Sequence, residues 1–289
     1  MDDKPKAVLF MIMAACGFAG MGAFVKLASE VPVYDKVFFR NLISLGIAAA
    51  FAIKARRPLL GKLKSQPYLL GRSLLGLIGV ILYFYALSNL ILADAVLLNN
   101  ISPFFTTLFA FLFLREKLSR VQMFSLLVAF TGAMLIIKPS FDYSMLPVAA
   151  GFCSAMFAGG AYTVVRYLRK RERPETIVFY FSLVSVIGIL PLTATTFSWP
   201  GATQALWLLG IGIGGACGQF GLTLAYRYAP ASEVAIYTYL TVVFATVLGY
   251  FVWGELPDIL SITGGLMIFG AALYVFLFRK SKNAQKAVG

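Results

Sequence analysis

Long apolar runs separated by short polar segments are the dominant pattern along this chain. Six of the runs carry no charged residue at all: 7–25, 73–93, 95–114, 143–165, 234–254 and 259–278. Each is close to the ~20 residues that an α-helix needs to cross a hydrocarbon core of about 30 Å. Residues 176–226 are also uncharged, and a turn at Trp199-Pro200-Gly201 divides them into two spans.

The pattern predicts ten membrane-spanning helices: 7–28, 34–54, 69–90, 93–114, 119–138, 145–168, 175–197, 203–227, 231–253 and 258–278. The first is longer than the ~7–15-residue core of a signal peptide, so we expect it to remain as a helix. Strands are not expected, because a barrel strand shows about 9–11 residues of alternating character and because only a helix satisfies its own backbone within one segment. The expected fold class is all-α, in a polytopic membrane protein.

The second half of the chain repeats the first at a spacing of 139 residues. Phe18-Ala19-Gly20 recurs at this spacing as Phe157-Ala158-Gly159, and Glu116 recurs as Glu255. Internal duplication within a membrane protein is typical of secondary transporters.

Each half holds five predicted spans, and because five is odd the second half must enter the membrane upside down. The basic residues that flank Glu116 are missing around Glu255, as expected if that loop has changed from the cytoplasmic to the outer side. We therefore expect two inverted five-helix repeats, residues 1–140 and 141–289, the second with a polar C-terminal tail. In such proteins the solute site lies between the repeats near the membrane midplane.

Composition and charge agree with a membrane solvent. Only 13% of the residues are charged, against roughly 25% in soluble domains. With the N-terminus in the cytoplasm, all but four of the 25 basic residues fall on the cytoplasmic side; the exceptions are Lys26, Lys36, Arg40 and Lys138. This positive-inside bias explains the net charge of +13 without a nucleic-acid partner. It predicts an integral protein of the bacterial inner membrane with both termini cytoplasmic.

The residue types argue against catalysis. The chain has no histidine, and its cysteines, Cys16, Cys153 and Cys217, lie within predicted spans as small buried side chains. No acidic cluster with ligand spacing is visible, so no metal, no cofactor and no enzymatic activity are expected. A lipid translocator and a membrane-embedded lipid-modifying enzyme remain as alternative functions; the enzyme would need a nucleophile, base or metal cluster at one interface.

Four short motifs carry a family resemblance: Phe38-Phe39-Arg40-Asn41-Leu42, Leu114-Arg115-Glu116-Lys117-Leu118, Tyr237-Thr238-Tyr239-Leu240 and Gly254-Glu255-Leu256-Pro257-Asp258. In this order and spacing they make the chain similar to the EamA-type members of the drug/metabolite transporter superfamily. The resemblance implies export or exchange of a small metabolite through a central cavity, with the fifth and tenth helices peripheral. It does not identify the solute.

Arg40 is the first candidate for solute binding, because it lies about 9 Å inside the second helix at 1.5 Å per residue. A guanidinium can hold a carboxylate or phosphate by two parallel hydrogen bonds. The alternatives are an ion pair with Asp35 or Asp94, or a side chain that extends outward to the interface. In the second repeat Phe181 aligns with Arg40, so the cavity is expected to be electrostatically lopsided.

Lys26, at the outer end of the first helix, is a second cationic candidate, with snorkelling as its alternative; Lys36 is expected at the interface. Asp94 and Glu233 begin the fourth and ninth helices, where a carboxylate can stabilise the helix N-terminus or couple transport to an ion. The remaining candidates for lining the cavity are Tyr83, Asn99, Asn100, Tyr162, Gln219, Tyr237 and Tyr239. Gly210, Gly214 and Gly218 predict a smooth face for close helix packing.

The sequence therefore predicts a secondary transporter that moves a small organic metabolite by alternating access between its repeats. The expected solute is amino-acid-like, zwitterionic or anionic. Membrane lipid is the second expected partner, and a homodimer is the assembly considered.

Overall fold

The computed structural model describes residues 4–54, 59–115, 118–137, 145–168, 171–229 and 235–288. The α-helices in these ranges are α1 Lys4–Leu27, α2 Val33–Lys54, α3 Gln66–Asn89, α4 Leu92–Asn99, α5 Ser102–Leu114, α6 Arg120–Ile137, α7 Met145–Leu168, α8 Pro174–Thr196, α9 Ala202–Tyr228, α10 Leu240–Trp253 and α11 Ile259–Val288. Two 3-10 helices, Leu63–Ser65 and Ala235–Tyr239, precede α3 and α10.

These helices form ten spans, and the protein is an integral membrane protein. Within the described ranges, nine segments are long and apolar enough to cross a bilayer. The other span is α2, whose first two turns carry Asp35, Lys36 and Arg40. The all-α fold class is confirmed, because the expected apolar runs each form a helix that satisfies its own backbone.

Two of the predicted helices are interrupted, which corrects the continuous helices expected over 93–114 and 231–253. The fourth span breaks between α4 and α5, where Pro103 cannot donate a backbone hydrogen bond. In the ninth span, the 3-10 helix Ala235–Tyr239 precedes α10. The two interruptions occupy equivalent positions in the repeats, since Asn100 and Tyr239 are separated by 139 residues.

The two halves of the chain interlock. The first span of one half packs along the third span of the other in both directions, so that α1 lies against α9 and α3 lies against α7. Equivalent spans also meet each other, as α2 does with α8 and α6 with α11. This reciprocal pattern is the one that two-fold related repeats produce.

Glycines allow α1 and α9 to approach at backbone distance. A Cβ atom on Gly17 would lie 2.7 Å from the amide nitrogen of Gly218 and 2.9 Å from the carbonyl oxygen of Gly214. The ring of Phe24 covers Gly210, where a Cβ would lie 2.6 Å from it. The predicted smooth face of α9 is therefore confirmed, and its partner is α1.

The cysteines differ from the expectation of small buried side chains. Cys16 is exposed on α1, and Cys153 and Cys217 are half-buried. All three are free thiols. A thiol on a lipid-facing surface carries little cost, because the surrounding solvent is as apolar as a protein core.

Candidate functional site

Arg40 is buried within α2 and is held by its sequence neighbour. The residue is 4% exposed and lies seven positions after Val33, the first residue of the helix. Its Nη1 donates to Oδ1 of Asn41 at 2.8 Å, and Nδ2 of Asn41 donates to the carbonyl of Val37 at 2.9 Å. Nε of Arg40 has no hydrogen-bond partner. Asn41 therefore orients the guanidinium through Nη1, while Nε remains an unused donor.

Arg72 is a second buried arginine, which the sequence interpretation missed. The sequence interpretation counted it as a basic residue at the cytoplasmic end of the predicted helix 69–90. Helix α3 instead begins at Gln66, and Arg72 lies within the span at 5% exposure. Its Nε and Nη1 have no hydrogen-bond partner. Pro67 at the first turn of α3 was the available signal for the earlier start.

The two arginines meet at the ring of Phe181 on α8. The Cζ atom of Arg72 lies 4.0 Å from the ring centroid, and that of Arg40 lies 5.5 Å from it. The guanidinium carbons are therefore no farther apart than the sum of these distances. Both cations come from the first half of the chain, and the ring comes from the second.

Lack of counter-charge is the main electrostatic feature of this site. Neither guanidinium forms an ion pair with a carboxylate of the described residues, so the expected alternatives of Asp35 and Asp94 as partners are not seen for Arg40. An arginine at the centre of a spanning helix costs ~2.5–3.5 kcal/mol on insertion scales. A cation–π contact returns about 0.5–2 kcal/mol. The ring of Phe181 therefore offsets only part of the cost of the two charges.

Glycines make room for both guanidinium groups. A Cβ on Gly215 of α9 would lie 3.2 Å from Nε of Arg40. A Cβ on Gly76 of α3 would lie 2.8 Å from Cε2 of Phe181 and 3.3 Å from Nη1 of Arg72. Each side chain thus lies against bare backbone, which positions it more closely than a neighbouring alanine would allow.

Tyr162, a predicted lining residue, lies close to the arginines and to Tyr83. Tyr162 on α7 is close enough to interact electrostatically with Arg40, Arg72 and Tyr83. Tyr83 is buried on α3, whereas Tyr162 is 40% exposed. The two arginines come from α2 and α3 and Tyr162 comes from α7, so the site spans both halves.

Three buried hydroxyl groups on α2 and α8 were also missed. Ser44 is one helical turn after Arg40, and Ser182 and Ser185 follow Phe181 on α8. Each is at most 2% exposed, and none of the three Oγ atoms has a hydrogen-bond partner. Serines are common in packed membrane helices, so sequence alone gave no reason to select these.

The interrupted helices of the two repeats touch each other. The hydroxyl of Tyr239 donates to the backbone carbonyl of Asn100 at 3.3 Å. That carbonyl would normally accept from Phe104, whose amide instead donates to Ile101 at 2.9 Å. The tyrosine therefore satisfies an acceptor that the helix break leaves open. The Asn100 side chain donates to the carbonyl of Val96 within its own helix.

The other predicted lining residues lie apart from the arginine pair or are used in packing. Nδ2 of Asn99 donates to Oγ of Ser154 on α7 at 3.2 Å. Tyr237 packs against the buried face where α1 meets α9. Gln219 is half-buried on α9 and already takes part in an interaction.

Lys26 lies in the last turn of α1, in a contact between the two halves. Its Nζ forms an ion pair with Glu255 and donates to the carbonyl of Leu90 at 2.8 Å. It also lies 5.4 Å from the ring centroid of Trp253. The other carboxylate oxygen of Glu255 accepts from the amide of Leu92, the first residue of α4, at 3.2 Å. We call this set, Lys26 with Glu255 and the start of α4, the outer latch, after the membrane side that the sequence predicts for it.

Lys36 is fully buried, which corrects the expectation of an interfacial cation. Its Nζ donates to the carbonyl of Val25 at 3.1 Å and to Oγ of Ser88 at 2.9 Å. It therefore ties α2 to the ends of α1 and α3. Asp94 lies in the first turn of α4, half-buried and engaged in other interactions, while Glu233 lies outside the described residues.

Comparison with known proteins gives a consistent result. The model of the EamA-like transporter family matches residues 5–138 and again residues 145–277. A pseudopaline exporter, CntI of Pseudomonas aeruginosa, is 38% identical over 94% of this chain and 96% of its own length. A riboflavin transporter of Brucella anthropi is 31% identical over 68% of this chain and 72% of its own length. A solved crystal structure aligns with a TM-score of 0.69 at 18% identity, covering 96% of this chain and 99% of that one; this likeness concerns the fold alone.

Proposed function

Because the chain belongs to the EamA-like transporter family, we propose that this integral membrane transporter of small molecules exports an anionic or zwitterionic organic metabolite, with Arg40 binding its negative group. The observation that carries the proposal is the pair of buried arginines without a carboxylate partner among the described residues. The bacterial inner membrane is the proposed location, with both termini in the cytoplasm. Export is the proposed direction, since the 38% identical relative is named an exporter.

The physical argument is electrostatic. A buried cation without a partner is costly, and the cost is recovered when a ligand brings the opposite charge. In addition, Asn41 orients the guanidinium while Nε of Arg40 stays without a partner. A solute carboxylate that accepts from this edge would convert a destabilising charge into binding energy.

Alternating access is the proposed mechanism, with residues 1–140 and 141–289 as the two repeats that move. The outer latch joins the first repeat to the second at the outer face. Opening the site outward must break this contact, so its free energy sets part of the barrier between the two conformations. The interrupted helices at Asn100 and Tyr239 provide non-helical backbone where the repeats meet, as transporters of this kind use at their sites.

The test begins with identification of the solute by its export. Cells that produce the wild-type protein are compared by untargeted mass spectrometry of cells and medium with cells that produce Arg40→Ala. We expect at least one anionic or zwitterionic metabolite to accumulate in the medium with the wild type and to remain in the cells with the variant. Arg40→Ala should be produced and folded at wild-type level, because it removes a costly buried charge.

The matched control is Lys64→Ala, which removes a positive charge from an exposed position in the 3-10 helix before α3. This variant should export like the wild type. The metabolite is then tested for counterflow in proteoliposomes, because only a carrier shows exchange stimulated from the opposite side. An Arg40→Ala protein that exports the same metabolites as the wild type would remove Arg40 from the mechanism.

A further inference from the structure

We infer that the solute presents two negative charges to this site, and that Arg72 is the second residue that recognises them. This inference rests on the transport function proposed above. It concerns the chemistry of the solute and gives a role to a residue that no motif of the sequence singles out.

The geometry brings the two guanidinium groups into one site. Arg40 approaches Phe181 from near the first residue of α2, and Arg72 approaches from near the first residue of α3, and these consecutive spans cross the membrane in opposite directions. Their Cζ atoms lie 5.5 and 4.0 Å from the centroid of the same ring. The two side chains thus come from opposite membrane faces and converge on one aromatic residue.

Burial makes this convergence costly without a ligand. Both residues are at least 95% buried, and each charge acts on the other because they lie close together. Two like charges in a poorly hydrated region repel each other more strongly than at a surface. A solute with one negative charge would neutralise one guanidinium and leave the other uncompensated. A solute with two would neutralise both.

The open donors are distributed over both residues. Nε of Arg40 is without a partner, and so are Nε and Nη1 of Arg72. Carboxylates and phosphates accept several N–H groups at once, whereas the ring of Phe181 offers only its face. The donors can be satisfied either by two carboxylates or by one dianionic phosphate group, which share the same charge.

The experiment measures thermal stabilisation of the detergent-purified protein by three small probes at equal ionic strength. Butyrate carries one charge, succinate carries two on separate groups, and methyl phosphate carries two on one group at about pH 8. Ligand binding to the folded state raises the melting temperature by an amount that grows with the logarithm of the ligand concentration divided by its dissociation constant. We expect at least one dianion to bind about tenfold more tightly than butyrate, with succinate and methyl phosphate distinguishing the two chemistries.

Variants assign the effect to residues. Arg72→Gln and Arg40→Gln should each reduce the dianion affinity to that of butyrate. Arg72→Lys should retain a measurable dianion preference, since it keeps the charge, and Lys64→Gln should behave as the wild type. If Arg72→Gln does not fold, the comparison of dianions with butyrate in the wild type still decides the outcome.

The inference is overturned if neither dianion stabilises the wild type more than butyrate does. It is also overturned if Arg72→Gln keeps the full dianion preference. Neither result contradicts the proposed transport function. That proposal has its own test, and it is contradicted if no solute appears in the medium in an Arg40-dependent way.

Discussion

Replacing Gly17 with alanine is expected to force α1 away from α9. The new Cβ would lie 2.7 Å from the amide nitrogen of Gly218 and 2.9 Å from the carbonyl oxygen of Gly214. Both contacts are to backbone atoms, so no side-chain rotation can relieve them. The helices must separate by several tenths of an ångström along their most extensive contact.

Gly20 provides a matched control one turn along the same helix, because a Cβ there would meet no atom within 4 Å. Alanine is favoured over glycine within a helix by about 0.8–1.0 kcal/mol, and both variants share this gain. Overpacking costs typically 1–3 kcal/mol, and only Gly17→Ala carries this cost. The free energy of unfolding of Gly17→Ala should therefore lie about 1–3 kcal/mol below that of Gly20→Ala.

The assay is the melting temperature of the purified variants in one detergent. A change of 1 kcal/mol corresponds to about 2–4 °C in proteins of 150–250 residues, so Gly17→Ala should melt several degrees below Gly20→Ala. Gly214→Ala meets the carbonyl of Gly17 at 2.9 Å and should be destabilised for the same reason. In the double variant, the loss of free energy of unfolding should be smaller than the sum of the two single losses, because the helix separation caused by one methyl group also makes room for the other.

Equal melting temperatures for Gly17→Ala and Gly20→Ala would refute this packing of α1 on α9. Full additivity in the double variant would show instead that the two glycines face different neighbours.

The remaining predictions concern the site and the contacts between the repeats. Tyr239→Phe should lower the free energy of unfolding by about 1 kcal/mol, because the partly buried carbonyl of Asn100 loses its donor; thermal unfolding measures this. For the outer latch, a double-mutant cycle of Lys26→Gln and Glu255→Gln should give a coupling energy of about 1 kcal/mol, since the pair is partly exposed. Gly76→Ala should weaken solute binding severalfold without changing any charge, because the new Cβ displaces the ring that both arginines contact; the solute dissociation constant is the measurement.

Each of these predictions has its own comparison. Gly71→Ala is the control for Gly76→Ala, because it lies on the same helix and its Cβ would meet no atom within 4 Å. Unchanged solute affinity in Gly76→Ala would show that the position of the Phe181 ring does not affect solute binding. A coupling energy of zero between Lys26 and Glu255 would mean that their ion pair does not stabilise the contact between the halves. An unchanged free energy of unfolding in Tyr239→Phe would mean that another group donates to the carbonyl of Asn100.

The sequence by itself determined the spans, the duplication and the opposite orientation of the halves. These properties depend on segments taken one at a time: a run of about 20 apolar residues favours lipid whatever its neighbours are. The positive-inside bias likewise depends on loops near the ends of single helices. For this reason Arg40 could be selected from its depth in α2 alone.

Tertiary structure decided which polar residues meet. Lys26 and Arg40 are both cations in the half that the sequence predicts to be outer, yet one pairs with Glu255 and the other contacts Phe181. Arg72 was placed at the cytoplasmic end of its helix, but this helix starts at Gln66 rather than at residue 69, and the side chain is buried against Phe181. The sequence around each of these cations does not indicate its partner, because the partner lies on another helix and is brought close only by packing between the halves. A charge within a membrane acquires its role from the partner it finds there, and that partner is fixed by the assembled helices.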